Sequence, residues 1–260
     1  MGRIDRMLLL SLLLTALGPR PAMAADAPFA VWHSDEAAGT VALDSTGHEN
    51  DATIHGARRV AGVFGGALEF DGVDDYLCAA GLGEMPEGSA EAWVKFNKAP
   101  DGQFGVVGFG AGNGGKNDMA LLGFAPGNKG EPTNVLTFSI CGAGWQGARS
   151  RVIPALGQWY LLVGTWGLSG MRLYVNGALA ATSAAWRGGV PAHPAVLIGA
   201  GSWGQYLAAT IDEVRVYPVA IGETTVRAHY EKRDYVLTPL QLGPQDRKSR
   251  ENRMRNVADF

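Results

Sequence analysis

Short apolar runs alternate with polar positions along most of this chain, and glycine separates one run from the next. Residues 171–175, Met-Arg-Leu-Tyr-Val, set Met171, Leu173 and Val175 against Arg172 and Tyr174, the period of a strand with one buried face. They run into Asn176-Gly177 and then Ala178 to Thr182. Both residues of Asn-Gly accept the positive φ of a type I′ turn, so this segment predicts a β-hairpin. Residues 159–166, Trp-Tyr-Leu-Leu-Val-Gly-Thr-Trp, are apolar on both faces, which predicts a central strand covered on both sides. Residues 90–96 place Ala92, Val94 and Phe96 opposite Glu91 and Lys95, a pattern that requires Trp93 to share the more polar face. Only Ile221 to Lys232 reads as a helix, with Val226, His229 and Tyr230 at three- and four-residue spacing.

The ends of the chain depart from this texture. Arg3 and Arg6 precede an apolar run from Met7 to Leu17, and Gly18, Pro19 and Pro21 lead to the small residues Ala22 and Ala24. That is the layout of a secretory leader, with cleavage expected after Ala24. The run is shorter than the roughly 20 residues that span a bilayer. From Thr238 the pattern gives way to a polar tail, in which Arg247, Lys248, Arg250, Arg253 and Arg255 face Asp246, Glu251 and Asp259. The expected organisation is a leader over 1–24, one domain over 25–237 and a tail over 238–260, with the product exported to the periplasm or the extracellular space. Glycine makes up 37 of 260 residues, about twice its usual share, as many strands joined by tight turns require.

Net charge narrows the partners. The chain carries −3, and loss of Arg3, Asp5, Arg6 and Arg20 with the leader leaves −5. A mildly acidic surface excludes nucleic acid as the expected partner, because phosphate binding rests on clustered Lys and Arg. Two cysteines, Cys78 and Cys141, remain after the leader. In an oxidising compartment they form one disulfide, or else they are buried thiols acting as small hydrophobes or strand-end residues too far apart to bridge.

Several strings in this order resemble bacterial laminin-G-like jelly-roll domains of the concanavalin A-like lectin/glucanase superfamily. They are Asp44-Ser45-Thr46-Gly47 with Asn50-Asp51-Ala52-Thr53, then Gly65-Gly66-Ala67-Leu68-Glu69-Phe70-Asp71-Gly72 with Asp74-Asp75-Tyr76. Glu91-Ala92-Trp93-Val94-Lys95, Trp159 through Trp166, Leu173-Tyr174-Val175-Asn176-Gly177 and Ile211-Asp212-Glu213-Val214-Arg215-Val216-Tyr217 follow. The resemblance spans roughly residues 29–231. It implies an all-β, two-sheet antiparallel sandwich with one short C-terminal helix. Such sandwiches host lectins, glycanases, adhesion modules and structural domains, so the fold leaves the ligand open. The resemblance also implies calcium, with Asp44, Asp51, Asp71 and Asp212 as candidate ligands. The alternative is that Asp44 and Asp51 hydrogen-bond their own turns and Asp212 caps a strand end.

Catalytic patterns are weaker. Glycoside hydrolysis needs two carboxylates flanking the scissile bond. The nearest string, Glu69-Phe70-Asp71-Gly72-Val73-Asp74, ends in Asp where laminarinase-type enzymes carry Glu, and Gly72 breaks the strand, so it is read as structural. No lyase-like cluster surrounds His33, His48, His55 or His193. Three G-x-G-x-x-G strings, from Gly110, Gly142 and Gly199, lack the helix that a phosphate loop opens. Trp32, Trp93, Trp159 and Trp166 lie in strand-like runs and are expected in the core, whereas Trp145, Trp186 and Trp203 sit in Gly- or Ala-rich loops. A loop tryptophan at a sheet rim stacks on a sugar ring or covers the end of the sandwich. Asn113 and Asn117, with Lys116 and Asp118, are candidate hydrogen-bonding partners in a glycine-rich loop. The expectation is a non-catalytic module that binds a polysaccharide or glycan. A protein-interaction or envelope-structural domain with an envelope protein as partner is the alternative, and a hydrolase or lyase ranks third.

Overall fold

The computed structural model describes residues 27–99, 104–110, 120–125, 134–141, 144–190, 192–193, 195–201 and 205–231. The leader and the tail, 1–24 and 238–260, lie outside these residues. The first strands are β1 (Ala30–Trp32), β2 (Val41–Ala42), β3 (Ala52–His55), β4 (Arg58–Ala61), β5 (Gly66–Asp71) and β6 (Tyr76–Ala80). Then come β7 (Gly88–Phe96), β8 (Phe104–Gly110), β9 (Ala120–Ala125), β10 (Val135–Cys141), β11 (Trp145–Arg149) and β12 (Trp159–Trp166). The chain continues through β13 (Met171–Val175), β14 (Ala178–Ser183), β15 (Ala195–Ile198), β16 (Ala200–Gly201), β17 (Gln205–Tyr206) and β18 (Ala208–Tyr217), and α1 (Glu223–Tyr230) is the last element among the described residues.

Two eight-stranded antiparallel sheets form the sandwich that the sequence predicts. The first has the order β14-β13-β12-β7-β18-β5-β4, with β1 also paired to β18; the second has the order β11-β10-β9-β8-β15-β6-β3-β2. The predicted hairpin is β13–β14, and Asn176 and Gly177 adopt φ of 51° and 78°. Side-chain alternation decides the layers. Leu68 and Phe70 of β5, Val94 and Phe96 of β7 and Trp166 of β12 face inward against Leu77, Phe109, Phe138 and Ile198 of the second sheet. Each large side chain so buried contributes about 1.5–3 kcal/mol. At Gly164 the sheets touch: a Cβ there would stand 2.5 Å from the Phe138 ring. The buried indoles keep their hydrogen bonds, Trp166 donating to Met85 O at 3.2 Å and Trp32 to Asn50 O at 2.7 Å.

The outer face of the first sheet is covered in part. Val226 of α1 packs over Trp93, Leu161, Val163, Tyr174 and Tyr217, so Trp93 does share a face with Glu91, as its strand pattern requires. His229 Nδ1 lies 2.7 Å from Glu91 Oε2, and Tyr230 stacks on Trp93 at 5.9 Å. A register shift between Asp212 and Arg215 marks a bulge where Glu213 takes φ 52°. The extra residue turns Asp212, Glu213 and Arg215 away from the core that holds Ile211, Val214 and Val216. Glu213 then bridges His33 Nδ1 and an Arg215 guanidinium nitrogen, each at 2.8 Å.

Of the two alternatives for Cys78 and Cys141, the structure has the unbridged one. Cys78 is in β6 and Cys141 closes β10, four strands apart in one sheet. At about 4.8 Å per strand they stand about 19 Å apart, against the roughly 7 Å limit for a disulfide. Burial pushes the Cys78 thiol up, which makes it an inert filler. Among the described residues no helix is long and apolar enough to cross a membrane.

Candidate functional site

Several strands of the first sheet end together and leave an open hollow of about 380 Å³ at the rim. Arg58 reaches it from β4, Glu69 and Asp71 from β5, Asn97 and Lys98 from the residues just past β7, and Asp75 from the turn before β6. Leu68 and Phe70 point into the core, so the alternation of β5 sends Glu69 and Asp71 to the outer side. β5 stops at Asp71 because Gly72 turns the chain with φ 81°, as the string predicts.

The lining is a connected polar set. The Arg58 guanidinium pairs with the Glu69 carboxylate. The Asn97 amide lies 3.5 Å from Glu69 Oε1 and 3.4 Å from Thr210 Oγ1. Asp71 Oδ1 accepts from Val73 N at 2.7 Å, while Asp71 N donates to Asp75 Oδ2 at 2.9 Å. Burial pushes the Asp75 carboxyl up; the Asp71 N–H opposes this, and the charges of Asp71 and Asp74 add to it. Ligand atoms of Asp71, Asp74 and Asp75 lie within 4.8 Å of one another.

The four carboxylates predicted as calcium ligands do not converge. Asp44 is fully buried, and its oxygens accept from the N–H groups of Val31, Thr46 and Asn50 at 3.0–3.1 Å. Asp51 Oδ1 accepts from Asp44 N at 2.8 Å, so both serve their own turn. Asp212 holds a different turn, accepting from Val63 N at 2.8 Å and Phe64 N at 3.0 Å. Burial raises its pKa to about 8, opposed by those two N–H groups and reinforced by Glu213. Of the four, Asp71 belongs to the acidic group found among the described residues, with Asp74 and Asp75.

The described loop tryptophans lie elsewhere. Trp145 opens the edge strand β11 and pairs with Cys141, and Trp186 donates to Gly188 O at 2.9 Å and packs against the core. Neither lines the hollow. Trp203, Asn113 and Asn117 lie outside the described residues. Arg58, Asn97 and Lys98 carried no motif, and only the sheet order brings them together. Asp74-Asp75 was visible as a string, without its destination.

The laminin-G family model, described as the concanavalin A-like lectin/glucanases superfamily, matches residues 71–227. The chain belongs to this family. No curated protein matches it. Among solved structures it is similar to domain 4 of AbnA, a GH43 extracellular arabinanase from Geobacillus stearothermophilus, in complex with arabinotriose. That likeness has TM-score 0.64 and 18% identity, and covers 78% of this chain and 98% of the other. Trypanosoma rangeli sialidase is similar with TM-score 0.61 and 18% identity over 80% of this chain, which spans only 33% of the sialidase. The receptor binding domain of botulinum neurotoxin C/D mosaic serotype follows, with TM-score 0.59, 10% identity and coverage of 80% and 51%. At these identities the likeness establishes the fold.

Proposed function

We propose that this is an exported, non-catalytic carbohydrate-binding module that takes a saccharide at the β5 rim. The character of the lining carries the reading. Donors on Arg58, Asn97 and Lys98 interleave with acceptors on Glu69 and Asp71 around an open hollow. A sugar hydroxyl, both donor and acceptor, complements such a mixture. Membership of a lectin/glucanase superfamily and the arabinotriose bound to a similar domain support it. Export rests on the leader pattern over 1–24. Glu69 is engaged by Arg58, and Asp71 serves its own turn, an arrangement that favours holding a ligand over cleaving it. If the family's calcium is present, the donor set that fits a hard cation is Asp71, Asp74 and Asp75, all carboxylate oxygens in one turn.

Affinity electrophoresis of the mature protein through arabinan, xylan, β-glucan, mannan and pectin gels tests this. Retardation by at least one polysaccharide, weakened in Asn97→Ala, is expected. No retardation in any gel, together with capture of an envelope protein, moves the assignment to an interaction domain. Polysaccharide turnover that disappears in Glu69→Gln/Asp71→Asn makes the protein a hydrolase.

A further inference from the structure

The hollow is one end of a longer feature. Backbone pairing aligns Trp159 of β12 with Lys95 of β7, Lys95 with Thr210 of β18, Thr210 with Glu69 of β5, and Glu69 with Arg58 of β4. Five residues on five adjacent strands thus form one row perpendicular to the strands. Their chain neighbours Val94, Phe96, Ala209, Ile211, Leu68 and Phe70 are in the core, so the row faces outward. Four strand intervals of about 4.8 Å make it about 19 Å long. The neighbouring register row, which contains Trp93, lies under α1 and Tyr230, and the Trp159 row runs beside it. At its far end the Lys95 ammonium lies 5.1 Å from the centroid of the half-buried Trp159 ring. Between the ends stand the Asn97 amide and the ion-paired Glu69 carboxylate, while the Thr210 hydroxyl is buried and bonded to the Asn97 amide.

Resting on the carbohydrate reading above, we propose that the ligand is a linear, uncharged oligosaccharide of several rings lying across the strands. One end sits in the hollow, and a distant ring contacts Trp159. The length of the row excludes a monosaccharide as the full occupant. Its charges alternate, Lys95, Glu69 and Arg58 in turn, so it selects groups that both donate and accept. An indole supplies apolar area with little conformational cost, and Lys95 holds its orientation.

The test is calorimetric titration of the full mature protein with dimer-to-hexamer ladders of arabinan and β-glucan, beside oligogalacturonate ladders as the acidic arm. Affinity is expected to rise with length until the row is filled, and to be weaker for the acidic ladder. Trp159→Ala is expected to cost the longest neutral oligomer about tenfold and to abolish the gain with length, while Asn97→Ala weakens every length. Lys95→Met, which keeps the ring, serves as the second variant should Trp159→Ala fold poorly, and it is expected to reduce the same gain. Binding that stops improving beyond the dimer overturns the row, as does a hexamer affinity untouched by either variant or a preference for the acidic ladder. Absence of binding by every neutral and acidic oligomer overturns the carbohydrate reading itself.

Discussion

Asp212→Asn isolates the most perturbed carboxyl near the bulge. Asp212 is 1% exposed and accepts two backbone N–H groups from the turn at Val63 and Phe64. In the unfolded chain it ionises near 3.8, and burial raises this to about 8 in the folded protein. Between those values the native state binds one more proton than the unfolded state, so the contribution of Asp212 to stability is full below pH 3.8 and is lost as pH rises through 8. Each pH unit inside the window costs about 1.4 kcal/mol. The full gap of about four units sets a ceiling on the order of 5 kcal/mol. Asparagine keeps a carbonyl oxygen for the two N–H groups and cannot ionise. Urea unfolding of wild type and variant at pH 5, 6 and 7 measures the effect, because the other titrating groups are shared and cancel in the difference. The stability of the variant relative to wild type should rise by about 1.4 kcal/mol per pH unit. A difference that stays constant from pH 5 to 7 would mean that Asp212 is ionised throughout, and the burial argument would be wrong.

Further outcomes follow from packing and charge. Gly164→Ala drives a methyl group into the Phe138 ring and should cost about 1–3 kcal/mol in urea unfolding; an unchanged midpoint would contradict the close approach of the sheets. Glu91→Ala removes the carboxylate from buried His229 and should cost about 3–5 kcal/mol, with faster hydrogen exchange in α1; a loss below about 1 kcal/mol would show that the helix docks without the pair. Calcium should raise Tm, chelator should reverse the rise, and Asp71→Asn/Asp74→Asn should remove it. An equal rise in that variant places the ion elsewhere, and no shift in wild type ends the calcium proposal.

Local chemistry that acts through near neighbours was legible in the sequence. Asn176-Gly177 announced its hairpin because only certain residues accept positive φ, and Trp93 was assigned its face because period-two alternation leaves no other. Glu213 hid the bulge, since a glutamate at φ 52° carries no sequence signal. Long-range pairing hid the hollow: Arg58, Glu69 and Asn97 come from strands whose order is settled only when the two sheets close on a common core. The same cause separated the four predicted calcium ligands. Asp44 and Asp51 lie at one turn, Asp212 at a bulge and Asp71 at the rim, so shared residue type did not mean shared location. Strand order also decides between bridged and unbridged cysteines, a choice that rests on spatial proximity and that sequence spacing leaves open.

Titration of wild-type protein and Asn97→Ala against the polysaccharide that retards the mature protein most strongly tests the binding role of the hollow most directly. Saturable binding by wild type, weakened at least several-fold in Asn97→Ala at unchanged Tm, is the predicted result. Equal affinity of the two proteins would contradict a saccharide site at the β5 rim.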